Sequence, residues 1–327
     1  MIRWLIGLAI VLVMASGATA QSPEPPLRVL YLSQSVGFVH EPVRRPPDGL
    51  APSELALQAM ARDSGAFTVE LTQDARDITP ARLAELDVLI FSTTGALPID
   101  RATWAAIMEW IESGRGGFVG IHSAADTQLD FEGGETVYTA FLGGQFDGHP
   151  WTEGTPIRLS NLEPDHPLAS MWPDGADYAE EIYQYAGLDP DRVRVLQTLD
   201  MGHGPLRRPH PVPVTWVRPV GQGRLFYTNL GHTLSTWDDP RFRRQIIDAI
   251  RWTGGRIAAP STPNPKVQDA AALAAFTASQ GLPSASPHDA PALADDIRAL
   301  QRLRPDKRPE DATALADAIV RIRDRLD

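Results

Sequence analysis

The chain has 327 residues, no cysteine and a formal charge of −11. These values exclude disulfide staples, thiolate metal sites and a cysteine nucleophile, and leave no basic stripe for nucleic-acid phosphates or an anionic membrane surface. The length is enough for a core that holds without covalent staples, and the dispersed acidity serves solubility.

Met1 and Arg3 open the chain, an apolar run follows over 4–14, and Ala18-Thr19-Ala20 gives a small-x-small cleavage signal. A signal peptide over 1–20, cleaved before Gln21, is therefore expected, since the run is too short to span a bilayer. The mature product is expected to be periplasmic or secreted, with no membrane attachment.

Residues 27–33 read as a first buried strand. A helix follows over 53–64, capped by Ser53 with Glu54 in its first turn. A strand at 67–71, a short helix at 79–85 capped by Thr79 before Pro80, and a buried strand at 88–92 come next. Asp100 caps a helix to residue 112, and 118–122 is another strand. From 133 to 223 the texture turns aromatic and proline-rich, which predicts irregular β structure laid over the sheet. A last strand at 224–230 and a closing helix at 240–252 complete an α/β alternation. The stretch AAPSTPNP at 258–265 opens a linker assigned to 258–289. Two helical segments at 290–303 and 310–326 are alike enough to pair as a hairpin.

In an open parallel sheet, ligands sit beyond the carboxyl ends of the strands. His40, His122 and His232 follow predicted strands there, and His149 comes from the covering region. Such a cluster suits a zinc-like divalent ion or metal-free acid/base work. No His-Glu-x-x-His or His-x-His occurs, so the spacing decides between neither. Asp126, on a helix opening at His122, would share its face or serve as a helix-start charge. Glu181 and Tyr183 alternate along an extended segment and point to one face, while Glu180-Glu181 also reads as a solvated acidic pair. Thr93 and Thr94 lie at the same sheet edge, suited to ligand hydroxyls or to helix capping. His210 is placed to orient the covering region; His166, His203 and His288 read as exposed turns or tail without a role. Trp151, Trp172 and Trp237 could stack sugar faces, with core packing as their ordinary use.

Other patterns fail. Gly114-Arg115-Gly116-Gly117 precedes a strand instead of joining strand to helix, so no nucleotide site is expected. Ser123 lacks the flanking glycines of a hydrolase elbow.

Ser35-x-Gly37-Phe38-x-His40, Gly116-Gly117-Phe118-Val119-Gly120-Ile121-His122-Ser123-Ala124-Ala125-Asp126, Gly143-Gly144-x-Phe146-x-x-His149-Pro150, Glu181-x-Tyr183, His210-Pro211-Val212-x-Val214-x-Trp216 and Gly223-Arg224-Leu225-Phe226-Tyr227-Thr228-x-Leu230-Gly231-His232-Thr233 together resemble the ThuA-like (trehalose utilisation) family. The resemblance implies a three-layer domain over 27–257 like flavodoxin or class I glutamine amidotransferases, with a mainly parallel sheet, followed by the helical tail. Where that fold carries an amidotransferase cysteine, His122 and Ser123 stand here, so glutamine hydrolysis is not expected. Val39 stands where the family usually has a basic residue, and Glu41-Pro42 follows.

The family link implies a small-molecule sugar or keto-sugar glycoside as substrate, supplied by a partner sugar oxidoreductase. The expected catalytic residues are His122, Glu181, Asp126 and His232. Thr93, Thr94, Tyr183 and His210 would bind substrate, and His40, His122, His149 and His232 would hold any metal. The alternative expectation is a non-catalytic periplasmic sugar-binding protein on the same fold. Nothing in the sequence indicates the oligomeric state.

Overall fold

The computed structural model describes residues 24–202, 212–282, 288, 290–303 and 308–326. The expected signal peptide, His203 and His210 lie outside them. The elements in chain order are β1 (Leu27–Leu32), α1 (Pro52–Ser64), β2 (Phe67–Thr72), α2 (Pro80–Leu83), β3 (Val88–Phe91), β4 (Gly95–Leu97), α3 (Arg101–Glu112), β5 (Gly117–Ile121), β6 (Thr127–Leu129), α4 (Gly134–Leu142), β7 (Gln145–Phe146) and β8 (Trp151–Asn161). They continue with β9 (Ala176–Ile182), β10 (Tyr185–Ala186), β11 (Arg194–Leu199), β12 (Pro213–Val220), β13 (Gly223–Thr228), α5 (Leu234–Asp238), α6 (Pro240–Thr253), α7 (Pro265–Gln280), α8 (Ala290–Arg302) and α9 (Asp311–Leu326).

The central sheet runs β2-β1-β3-β5-β13-β12-β11-β8-β9. Strands β2, β1, β3, β5 and β13 are parallel, and the rest continue the sheet antiparallel. Right-handed crossovers fix the layers. The step from β1 to β2 runs opposite to the steps from β2 to β3 and β3 to β5, so α1 lies on one face and α2 and α3 on the other. Contacts agree: α1 meets α5 and α6, while α2 meets α3. Helices on both faces explain why the parallel strands are continuous apolar runs: Leu89, Ile90, Phe91, Phe118 and Val119 are fully buried.

Some expectations change in detail. Helix α1 starts a residue early because Pro52 suits its first position. Ala51 is the cap, and its N–H donates to Glu54 Oε2 at 2.8 Å. Ser53 is instead buried and receives the Tyr31 hydroxyl at 2.9 Å. The segment 133–223 mostly extends the sheet and does not simply lie over it. His166, expected in an exposed turn, is buried, with Nε2 donating to the Pro260 carbonyl at 2.9 Å.

The stretch assigned to a linker contains α7. The Asn264 side chain exchanges two hydrogen bonds with the Val195 backbone, at 3.0 and 2.9 Å, and Gln268 donates to the Pro190 and Val193 carbonyls. These side chains tie α7 to the backbone that leads into β11. Leu273 and Phe276 of α7 share a second apolar core with Leu293, Ile297 and Leu300 of α8 and Ile322 of α9. The tail is thus a three-helix unit and not a bare hairpin. Among the described residues, no helix is long and apolar enough to cross a membrane.

Candidate metal centre

The sheet changes winding direction at β1 and β3, the position where open α/β sheets bind ligands. Two loops are pinned together there. Val36 N–H donates to the Thr94 carbonyl at 2.7 Å, and Ser35 bridges Thr94. Gly95 permits this approach, since it has a φ of 77° and a Cβ on it would overlap the Val36 carbonyl oxygen. His40 is thereby carried over the end of β3.

His122 ends β5 and opens a short 3-10 turn, His122–Asp126, with a φ of 44°. That left-handed conformation costs a non-glycine residue about 1–2 kcal/mol and persists only where neighbours enforce it. Here Tyr227 OH donates to the His122 carbonyl at 2.7 Å, and His122 Nδ1 lies 2.7 Å from the Asn229 carbonyl. The latter contact requires a proton on Nδ1, so Nε2 presents a lone pair to the site. The expected result is that His122→Gly unfolds at higher denaturant than His122→Ala, by about 1 kcal/mol. Equal midpoints would show that the turn stores no strain.

His232 follows β13 on a loop held from two directions. The fully buried Glu180 accepts from the N–H groups of Gly231 and Thr233, both at 3.1 Å, and from Thr236 Oγ1. Trp237 Nε1 donates to the Gly231 carbonyl at 3.0 Å. The end of β9 is tied back to the same loop: Tyr183 N–H donates to Asn229 Oδ1, and Asn229 Nδ2 donates to the Tyr183 carbonyl. This brings Glu181 to the histidines from the far edge of the sheet.

His40, His122, Glu181 and His232 are all buried, and each offers a ligand atom within 4.8 Å of the others'. Glu181 Oε1 lies 3.5 Å from His122 Nε2 and 3.2 Å from His232 Nδ1. The imidazole rings meet edge to face, with centroids 5.0–5.1 Å apart. Burial, together with the neighbouring His122 and His232, pushes His40 down to about 2, keeping it neutral. Burial would raise Glu181, but its interactions with the facing His122 and His232 imidazoles outweigh it and hold the carboxyl well below its usual range. Three imidazole nitrogens and one carboxylate form a donor set suited to zinc and similar divalent ions. The Asn229 carbonyl orients His122 as an outer partner of a metal-bound histidine would.

The family model for ThuA, trehalose utilisation, matches residues 28–253. The chain belongs to the ThuA family. Two solved ThuA-like proteins share the fold. One, from Bacteroides uniformis ATCC 8492, has 23% identity and a TM-score of 0.57, covering 72% of this chain and 95% of its own. The other, from Parabacteroides merdae ATCC 43184, has 17% identity and a TM-score of 0.53, covering 70% and 90%. No curated protein matches the chain.

The ThuA fold gathers some of the expected residues and not others. His40, His122 and His232 come together with Glu181, which was expected as an acid/base or metal-ligand carboxylate, and His149, expected with the metal residues, is not part of the group. His149 stands outside, 46% exposed, with Nδ1 3.4 Å from the other carboxylate oxygen of Glu181. Tyr183 OH meets His40 Nε2 at 3.1 Å. Thr94 makes only a long 3.5 Å contact with His40 Nδ1, and Thr93 pairs instead with Thr127 at 2.6 Å. Trp151, Trp172 and Trp237 are buried and present no face to a sugar. His210 lies outside the described residues. Sequence reasoning missed the roles of Glu180, Asn229 and Tyr227 as supports; the only signal was that Asn229 and Tyr227 fall inside the Gly223–Thr233 motif.

Asp126 stays outside the four-residue group. Burial pushes its carboxyl up to about 6, against the opposing pull of His122 and His149. A carboxyl raised in the folded state binds its proton more tightly there than in the unfolded chain. Its penalty is therefore absent below about pH 4 and complete above about pH 6, reaching up to about 3 kcal/mol. Asp126→Asn in chelator-treated protein is expected to stabilise at pH 8 and to be neutral at pH 4, as read by urea unfolding. A pH-independent effect would discard this assignment.

Proposed function

We propose that this ThuA protein is an exported carbohydrate-active enzyme that acts on a sugar or keto-sugar glycoside, with a zinc-like divalent ion held by His40, His122, Glu181 and His232. The observation supporting it is the four-residue group itself: buried, converging, and held by partners that act on orientation. A bound ion there polarises a carbonyl or activates water.

The chain's own groups supply the proton handling. His149 is half-exposed beside Glu181, between the buried group and solvent. Asp126, raised to about 6, is suited to hold and release a proton near neutrality. The Tyr183 hydroxyl, pushed well above its usual range by burial and the Glu181 charge, stays a hydrogen-bond donor. A keto group acidifies the adjacent C–H, so isomerisation, elimination of the glycosidic group, and hydrolysis that runs through elimination and readdition of water all begin with proton abstraction. In this reading a partner sugar oxidoreductase supplies the keto group, and the signal over 1–20 directs the protein out of the cytoplasm.

The test is solvent exchange. Wild-type protein in D2O is expected to wash deuterium into a 3-keto-glucoside beside the carbonyl, as followed by NMR, while unoxidised trehalose stays unlabelled. Binding of the keto-sugar without exchange or turnover would replace the enzyme reading with that of a sugar-binding protein.

A further inference from the structure

One residue beyond Tyr183, the chain borders a second space. Gln184 and Tyr185 line a cavity of about 790 Å3 that α8 closes from the tail side. The volume lies within the roughly 300–1,000 Å3 of small-ligand sites. None of the four candidate metal ligands is among its described lining.

The described lining carries three carboxylates, Asp147, Asp189 and Asp191, and three guanidiniums, Arg298, Arg302 and Arg308. Across the described lining these charges balance, so these residues favour no net charge in a ligand. Arg298 pairs with Asp191 at 3.1 Å, placing donor and acceptor side by side as neighbouring hydroxyls require. Leu188 and Val212 add apolar surface for the C–H face of a ring.

Gln184 provides an independent pointer. It is 4% exposed, and its Nε2 donates to the Asp147 carbonyl at 2.6 Å. Its Oε1 is enclosed and has no hydrogen-bond partner among the described residues. A buried acceptor left unmade is costly, and a turn of the Gln184 side chain toward the cavity would let a ligand hydroxyl remove that cost.

We propose that this cavity, shared between the α/β domain and the helical tail, is a saccharide site for a neutral polyhydroxylated ligand, separate from the metal group. It gives α8 a binding role. Its wall is also joined to the His149 loop, because Gln184 N–H donates to the Gly148 carbonyl and Asp147 N–H to the Gln184 carbonyl, both at 2.9 Å. The site needs neither the metal nor the catalytic reading to hold.

The test is calorimetric titration of the full-length protein with trehalose and maltose, using galacturonate as the charged control. At least one neutral disaccharide is expected to bind. Its affinity is expected to fall about tenfold in Leu188→Trp, which fills the cavity, and in Arg302→Ala, which removes an exposed side chain without touching the core. Binding is expected to survive in His122→Ala. Thermal midpoints identify any variant that fails to fold, and Arg302→Ala then decides alone. Loss of binding in His122→Ala would move the sugar to the metal group and overturn the proposal. So would wild-type affinity in the folded cavity variants, a preference for galacturonate, or no binding of either disaccharide.

Discussion

Glu181→Gln and His122→Ala are each expected to abolish a divalent ion that wild-type protein retains at about one equivalent, the occupancy of a single closed site. Elemental analysis of tag-free protein purified without chelator measures this directly. His122→Ala removes a nitrogen whose lone pair is fixed by the Asn229 carbonyl. Glu181→Gln removes the charge that faces His122 and His232. An ion that binds only the folded state stabilises it by about 4 kcal/mol at a thousand times its dissociation constant. Chelator should therefore lower the thermal midpoint of wild type and leave both variants unchanged. His149→Ala is expected to keep the ion, because His149 lies outside the group that shares one centre. Loss of the ion in His149→Ala would assign His149 as a ligand. No ion in the wild type would leave acid–base chemistry by histidine and carboxylate.

The neighbouring carboxylate should behave in the opposite way. Glu180 is fully buried and accepts from Gly231, Thr233 and Thr236, so Glu180→Ala leaves those donors without a partner. A loss of about 3–5 kcal/mol of folding stability is expected, measured by urea unfolding in the presence of chelator. Under the same conditions Glu181→Gln should cost far less, since Glu181 serves the ligand group and not the backbone. Two adjacent glutamates thus separate a supporting role from a ligand role. Similar losses from both would show that Glu181 is structural as well.

The parallel half of the fold was legible because its strands are buried on both faces and therefore form unbroken apolar runs, as in 88–92 and 118–122. The histidines that follow those strands were legible for the same reason, since their place relative to a strand end sets their place in space. The β8–β9 pair was harder to read: its path back to the site depends on Asn229 gripping the Tyr183 backbone, a long-range pairing that local patterning does not encode. Glu181 was set apart in sequence by its spacing from Tyr183, but the burial of Glu180 against the His232 loop was not legible, because it depends on backbone donors distant in the chain. The linker assignment failed because Asn264 and Gln268 are polar residues used as internal hydrogen-bonding partners. Composition reads such residues as solvent-facing.

The strand that carries His232 sits between β5 and β12, although it is among the last strands the ribosome makes. His40, near the start of the chain, cannot meet His232 until β13 has inserted beside β5. Pairings so distant in sequence form slowly. An emerging chain therefore offers no complete ligand set, and any ion would be captured only after folding. The metal available in the compartment where folding finishes, more than the one present during synthesis, would then decide what the centre holds.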